Sequence, residues 1–241
     1  MTREFVLVHG MSHGAWAWEL LAPYLERRGH RVITVELPGH GRRAHERARA
    51  SMETYAEAVA EAMAAAGVAH GVLVGHSMGG AVIQRAAELC GPRLAHLVFL
   101  AAVVLPRGGS VLRSHLPPAT RAIFAGLAAA GGGVVQYPAG FEHARWFTDM
   151  PPGDPHVVAA LGRLTPQPYR PCADRLDLSQ FYASRLPRTY VRCLRDAAIP
   201  PSAALLYARR LGVDPIDMNT AHAPMLSAPA ELADILMKVR D

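Results

Sequence analysis

Apolar residues in this chain gather in six short runs, separated by stretches with helical spacing. The runs fall at 5–8, 32–36, 72–74, 97–104, 189–194 and 215–218. They are near-continuous, not alternating, which is the pattern of strands covered on both faces of a parallel sheet. Between them, Met52, Tyr55, Val59 and Met63 recur on one helical face, with Ser51 as cap and Gly67 as stop. The spacing predicts further helices over 81–89 and over 203–211, the latter between Ser202 and Gly212. A last helix opens at Ser227 and Pro229 and turns Leu232, Ile235, Leu236 and Val239 inward. This alternation predicts an α/β fold with about six mostly parallel strands flanked by helices.

The rhythm fails between 107 and 187, where prolines such as Pro117, Pro118, Pro151 and Pro152 join the run Gly131-Gly132-Gly133. The stretch is too long for a plain loop. Ile123, Phe124, Leu127, Phe141, Trp146, Phe147, Phe181 and Tyr182 mark it as packed structure. The expected organisation is a core of 1–106 and 188–241 with a helical cap, or lid, of 107–187. That cap would lie over the carboxyl edge of the sheet, where open α/β folds bind ligands.

Composition narrows the function classes. A hydrophobic share of 51% with 19% charged residues suits a compact fold. The net charge of +5 is carried by arginine, since Lys238 is the only lysine. The densest basic stretch, 42–49, has no interleaved aromatics and no nucleic-acid motif, so it reads as a solvated face and no nucleic acid is expected. No apolar run approaches the ~18–20 residues of a membrane span, so no membrane partner is expected. Cys90, Cys172 and Cys193 form no metal or redox motif and fit a reduced, cytoplasmic setting. The apolar run 5–8 leads directly into a glycine-rich turn and does not read as a secretory leader. No cofactor and no metal is expected. A homodimer is compatible with the sequence, which leaves the oligomeric state open.

Candidate chemistry sits in two matches to G-x-S-x-G, each behind a strand-like run: Gly75-His76-Ser77-Met78-Gly79 and Gly10-Met11-Ser12-His13-Gly14. In a nucleophile elbow a tight strand-to-helix turn lifts the serine hydroxyl above the sheet. Such a serine needs a base and an acid that orients the base. Of the twelve histidines, only His222 lies beyond 156, and it follows the last strand. Asp196 follows the run 189–194, whereas Asp174 and Asp177 lie in the cap and Asp214 and Asp217 border the last strand. Ser77, Asp196 and His222 therefore stand in the order Ser–Asp–His, each after a strand. Gly79, Gly80 and Ala81 permit a close helix after Ser77; the bulky Trp16 and Trp18 after Ser12 do not. The Ser12 loop instead supplies the Met11 N–H to an oxyanion, opposite the N–H of Met78.

The stretch His9-Gly10-Met11-Ser12-His13-Gly14-Ala15-Trp16 resembles the oxyanion loop of the plant methylesterase and hydroxynitrile lyase branch of the α/β hydrolases. The resemblance continues through 36–41, 75–80, 104–106, 192–200 and 222–229, covering the core well and the cap loosely. It implies Ser77 as nucleophile, His222 as base, Asp196 as orienting acid, Met11 and Met78 as oxyanion donors, and a small enclosed apolar pocket. The expected pocket wall comprises Gly10, Leu105, Trp146 and Met225. Lyases of this branch carry a threonine after the first histidine and a lysine after the catalytic one. Here Gly10 and Ala223 stand in those places, which disfavours cyanide release. The expected activity is hydrolysis of a small, largely apolar ester. A biosynthetic C–C cleavage, a cyclisation, a thioester or lactone reaction on the same frame, and a non-catalytic receptor remain as alternatives. His9, His13 and His76 are expected to hold backbone, His40 and His45 to be exposed, and Trp16 and Trp18 to form core and pocket wall.

Overall fold

A computed structural model describes residues 2–239. Six strands form one sheet: β1 (Glu4–Val8), β2 (Arg31–Val35), β3 (Gly71–His76), β4 (Leu94–Leu100), β5 (Arg188–Cys193) and β6 (Ile216–Met218). Their order is β2-β1-β3-β4-β5-β6, and every pairing is parallel. Each residue of β3, at the centre, is buried, as expected for a strand with helices on both faces.

Register decides where the loops go. Val8 pairs with Gly75, Leu100 with His76 and with Val191, and Cys193 with Met218. The carboxyl ends of β1, β3, β5 and β6 therefore share one edge. The loops that follow them carry Met11, Ser77, Asp196 and His222.

Local chemistry explains the helices. The helix Met52–Ala65 opens on a full capping box, in which Ser51 Oγ accepts from Thr54 N–H and Thr54 Oγ1 accepts from Ser51 N–H. The helix Pro201–Leu211 ends on Gly212 at φ +74°, a left-handed cap suited to glycine. Ser202 lies inside that helix and not at its cap, because Pro201 already starts the first turn. Likewise Pro229 opens the last helix, Pro229–Lys238, from Ala228, while Ser227 ends a separate turn at Pro224–Ser227.

The apolar run 97–104 is not one strand. The strand starts at Leu94 and stops at Leu100, because Ala101 turns the chain at φ +42°. Residues 101–105 continue as a buried loop whose amides find other acceptors. Ala101 N–H donates to Val191 O (2.9 Å), Val103 N–H to Ser77 O (2.9 Å) and Leu105 N–H to Gln84 Oε1 (2.7 Å).

Between β4 and β5 lie short helices, among them Val111–His115, Pro118–Ala130, Phe141–Trp146 and Pro155–Arg163. Val134–Val135 pairs antiparallel with Gln167–Pro168. Phe147 and Phe181 are fully buried there, but Ile123 is 61% exposed, on the outer side of its helix. The insertion is tied to the core by side chain–backbone bonds: Gln167 Oε1 accepts from Ser12 N–H, and Asp174 Oδ2 from Met52 N–H. Among the described residues, no helix is long and apolar enough to cross a membrane.

Candidate active site

The turn after β3 is built on close backbone approach. Ser77 sits at φ +56°, a strained conformation for a residue with a side chain. A Cβ on Gly75 would lie 2.5 Å from Gly79 O, and one on Gly80 would lie 2.5 Å from Val103 O. Only glycine allows the helix Gly79–Cys90 to start this close to the sheet. The Ser77 peptide is fixed on both sides: its N–H donates to Leu100 O, and its carbonyl accepts from Gly80 and Val103.

Above this turn the side chains form a hydrogen-bonded chain. Ser77 Oγ lies 2.9 Å from His222 Nε2, and His222 Nδ1 lies 2.7 Å from Asp196 Oδ2. A carboxylate accepts only, so Nδ1 carries the proton and Nε2 presents a lone pair to the serine hydroxyl. Asp196 is buried, and its Oδ1 accepts from Ala198 N–H (2.7 Å) and Ile199 N–H (2.8 Å). Both of its oxygens are satisfied, which fixes its orientation.

Ser12 also has a positive φ, +60°, but it meets no base. Its Oγ is buried and unpartnered, and its backbone is bound by Gln167 and Thr165. Its loop instead packs against the elbow, since a Cβ on Gly10 would lie 2.7 Å from Ser77 Cβ. No described acceptor takes the N–H of Met11 or of Met78. Met78 immediately precedes the helix Gly79–Cys90, whose amino end favours negative charge.

Three buried histidines hold the backbone around this chain. His9 Nδ1–H donates to Gly10 O (2.9 Å), and its Nε2 accepts from Leu37 N–H. His13 Nδ1–H donates to Met11 O (2.7 Å), and His76 Nε2–H to His222 O (2.8 Å). Burial lowers the pKa of all three, His13 to about 3, so all are neutral at pH 7. His40, expected to be exposed, is fully buried. It bridges Tyr55 OH and Thr165 Oγ1, a partner that the insertion supplies. His45 is exposed.

A cavity of about 80 Å³ opens over Ser77 and His222, walled by Met11, Leu112, Phe124, Phe141 and Trp146 among others. Three of the four expected wall residues are not on it. Leu105 is buried below, its backbone held by Gln84 and by the Tyr182 hydroxyl. Met225 is fully buried in the core. Gly10, with no side chain to project, backs Ser77. Trp146 does line the cavity, with its ring 5.0 Å from that of His13. Trp16 stacks on His13 from outside the cavity, and Trp18 is core.

Other contributing residues carried no signal in the sequence. Asp149 Oδ2 accepts from Ala221 N–H (2.8 Å), so the insertion braces the loop that bears His222. His115 and Arg145 reach the cavity wall from the insertion. Burial, with His222 and Arg145 nearby, lowers the His115 pKa to about 4. Among the described residues, no group of three or more His, Cys, Asp or Glu is arranged to hold a metal ion.

Comparison with known proteins fits this geometry. The chain is 27% identical to the putative methylesterase 13 of Arabidopsis thaliana over 99% of its own length and 56% of that protein. It is 40% identical to a carbendazim hydrolyzing esterase of Nocardioides sp. (strain SG-4G), over 51% of this chain and 52% of that one. It thus spans little more than half of these two curated relatives. An extracellular alpha/beta-hydrolase from a Paenibacillus species matches with a TM-score of 0.90 at 27% identity, covering 99% of this chain and 100% of that one. That hydrolase is described as sharing structural and functional homology with tobacco salicylic acid binding protein 2. The alpha/beta hydrolase family model matches residues 5–235. With its six-stranded parallel sheet and the elbow after β3, this chain belongs to the alpha/beta hydrolase family.

Proposed function

We propose that the protein hydrolyses a small, largely apolar carboxylic ester through an acyl-enzyme on Ser77. The reading rests on one observation: Ser77 Oγ, His222 and Asp196 form a continuous hydrogen-bonded chain at the floor of a mainly apolar cavity. Esterases among the relatives support it.

In the first half-reaction Ser77 Oγ attacks the ester carbonyl carbon as His222 Nε2 takes its proton. Asp196 keeps Nδ1 protonated and stabilises the imidazolium. The carbonyl oxygen becomes an oxyanion facing the Met11 and Met78 N–H groups; losing one such donor costs about 3–4 kcal/mol of transition-state stabilisation. His222 then gives its proton to the departing alkoxide, which leaves as the alcohol. In the second half-reaction His222 deprotonates a water, hydroxide attacks the acyl carbon, and the acid leaves as Ser77 recovers its proton. Residues 107–187 act as the cap, supplying most of the cavity wall and keeping bulk water from the acyl-enzyme.

The absence of lysine beside His222 favours hydrolysis over cyanide chemistry, since Ala223 offers no cation to a departing anion. Steady-state turnover of 4-nitrophenyl acetate tests the proposal. Wild-type protein should release nitrophenolate catalytically, and Ser77→Ala should lower kcat by about a millionfold, to background. Undiminished turnover by Ser77→Ala would exclude the serine mechanism.

A further inference from the structure

Arg145 is a charged feature of the cavity wall that ester hydrolysis does not explain. It projects from the helix Phe141–Trp146 and lines the same cavity as Ser77 and His222. Its guanidinium carries a fixed positive charge. Its contacts within the described residues are weak ones. Nη2 reaches Ala198 O at 3.4 Å, beyond the ordinary range for such bonds, and the group lies 5.8 Å from the centre of the Phe141 ring. It forms no ion pair with any described carboxylate, whereas Arg43, Arg85, Arg163 and Arg192 all do.

Among the described residues, no aspartate or glutamate lines this cavity. Its remaining wall is mostly aliphatic and aromatic. His115, the nearest candidate for a second cation, is held neutral at pH 7, as is His13. A guanidinium half-buried against apolar surface loses hydration, and such weak contacts return little of it until an anion arrives. A carboxylate fits its planar fork with two parallel hydrogen bonds, and the low local dielectric strengthens the pairing.

We infer that the ester turned over at Ser77 carries a second, ionised carboxylate, and that Arg145 binds it. The substrate class is then a half-ester or an acylated hydroxy acid, with a compact apolar body between ester and carboxylate. This rests on the ester-hydrolase reading for the reaction, but not for the anion site itself. Arg145 is a binding residue that sets specificity, held on the cavity wall by the helix Phe141–Trp146.

Two substrate pairs test it, one with the charge on the acyl side and one with it on the alcohol side. They are mono-4-nitrophenyl glutarate against 4-nitrophenyl pentanoate, and 4-acetoxybenzoate against phenyl acetate. In one pair the anionic ester should be preferred, and Arg145→Gln should lower its anionic-to-neutral ratio of kcat/KM by about 10- to 150-fold. Arg145→Lys should fall between, since it keeps the charge and loses the fork. Calorimetric titration of the Ser77→Ala protein with benzoate and benzamide reads the site without turnover. Benzoate should bind more tightly, and Arg145→Gln should remove the difference. Equal ratios in both pairs for wild type and Arg145→Gln, or equal binding of benzoate and benzamide, would overturn the inference. Arg145-dependent benzoate binding without ester turnover would leave the anion site standing and remove the ester reading. Ser77-dependent turnover with no preference for the anion would do the reverse.

Discussion

His76 Nε2 donates to the main-chain carbonyl of His222 at 2.8 Å, so the residue just before Ser77 holds the backbone of the residue that faces it. The two imidazole rings also lie 4.7 Å apart. Serine and histidine come from strands separated by β4 and β5 in the sheet, and this bond ties their loops directly together. The His222 Nε2 position is therefore set from two sides, by Asp196 through Nδ1 and by His76 through the backbone.

Replacing His76 by phenylalanine keeps a ring in the space and removes the donor. We expect kcat for 4-nitrophenyl acetate to fall by about 10- to 100-fold, because displacements near 1 Å cost that much. KM should change little, since His76 does not line the cavity. Steady-state kinetics separates the two parameters, and an unchanged kcat would remove the positioning role.

Asp196→Asn leaves the shape but can present the amide N–H to His222, favouring the wrong tautomer. Losses near 10⁴-fold in kcat are typical of this change in serine hydrolases. Asp149→Ala should act more mildly, since it frees the Ala221 amide at the His222 loop and the distant Arg195 contact (3.9 Å) but touches neither Ser77 nor His222. A drop of about tenfold, with the fold intact by circular dichroism, is the expected result.

Gly80→Ala and Gly126→Ala should shift stability in opposite directions. A Cβ on Gly80 meets Val103 O at 2.5 Å, against backbone that itself holds Ser77. The expected loss is about 1–3 kcal/mol. Gly126 lies within the helix Pro118–Ala130, and a Cβ there meets nothing within 4 Å. Alanine should add about 0.5–1 kcal/mol. Urea unfolding midpoints of the two variants check both signs.

The buried histidines fix the acid limb of stability. His9, His13, His40 and His76 all have folded pKa values below the ordinary histidine value of about 6.5, with burial the main cause. Above pH 6.5 both folded and unfolded states hold them neutral, and they contribute no slope. Below it the unfolded chain takes up protons that the folded chain refuses, so stability falls as pH falls. Each group adds to that slope until its folded pKa is reached. For His13 that window runs from 6.5 down to about 3. The thermal midpoint should thus drop steeply between pH 6.5 and 5 and stay level between 7 and 8; a flat profile through the acid range would contradict this.

Much of this architecture was legible in the sequence because chain order and strand periodicity are local properties. The continuous apolar runs mark the six core strands, and the single late histidine with the acid after run 189–194 points to the residues that the fold brings beside Ser77. What was not legible depends on side-chain direction and on the insertion. His40 reads as polar loop sequence, yet Thr165 and Tyr55 enclose it. Leu105 and Met225 lie near the site in sequence but turn into the core. The run 97–104 ends as a strand at Leu100 because Ala101 adopts a positive φ, which no residue preference for alanine announces. Arg145 and Asp149 act through neighbours that only the folded chain supplies.

The central claim is that Ser77, and not Ser12, becomes acylated. Acid-quenching the protein during turnover of 4-nitrophenyl acetate, followed by peptide mass mapping, measures this directly. An acetyl group on the peptide bearing Ser77, absent from the Ser77→Ala protein and retained in Ser12→Ala, is the result this account predicts. Acetylation of Ser12, or full turnover with no acetyl group on Ser77, would contradict it.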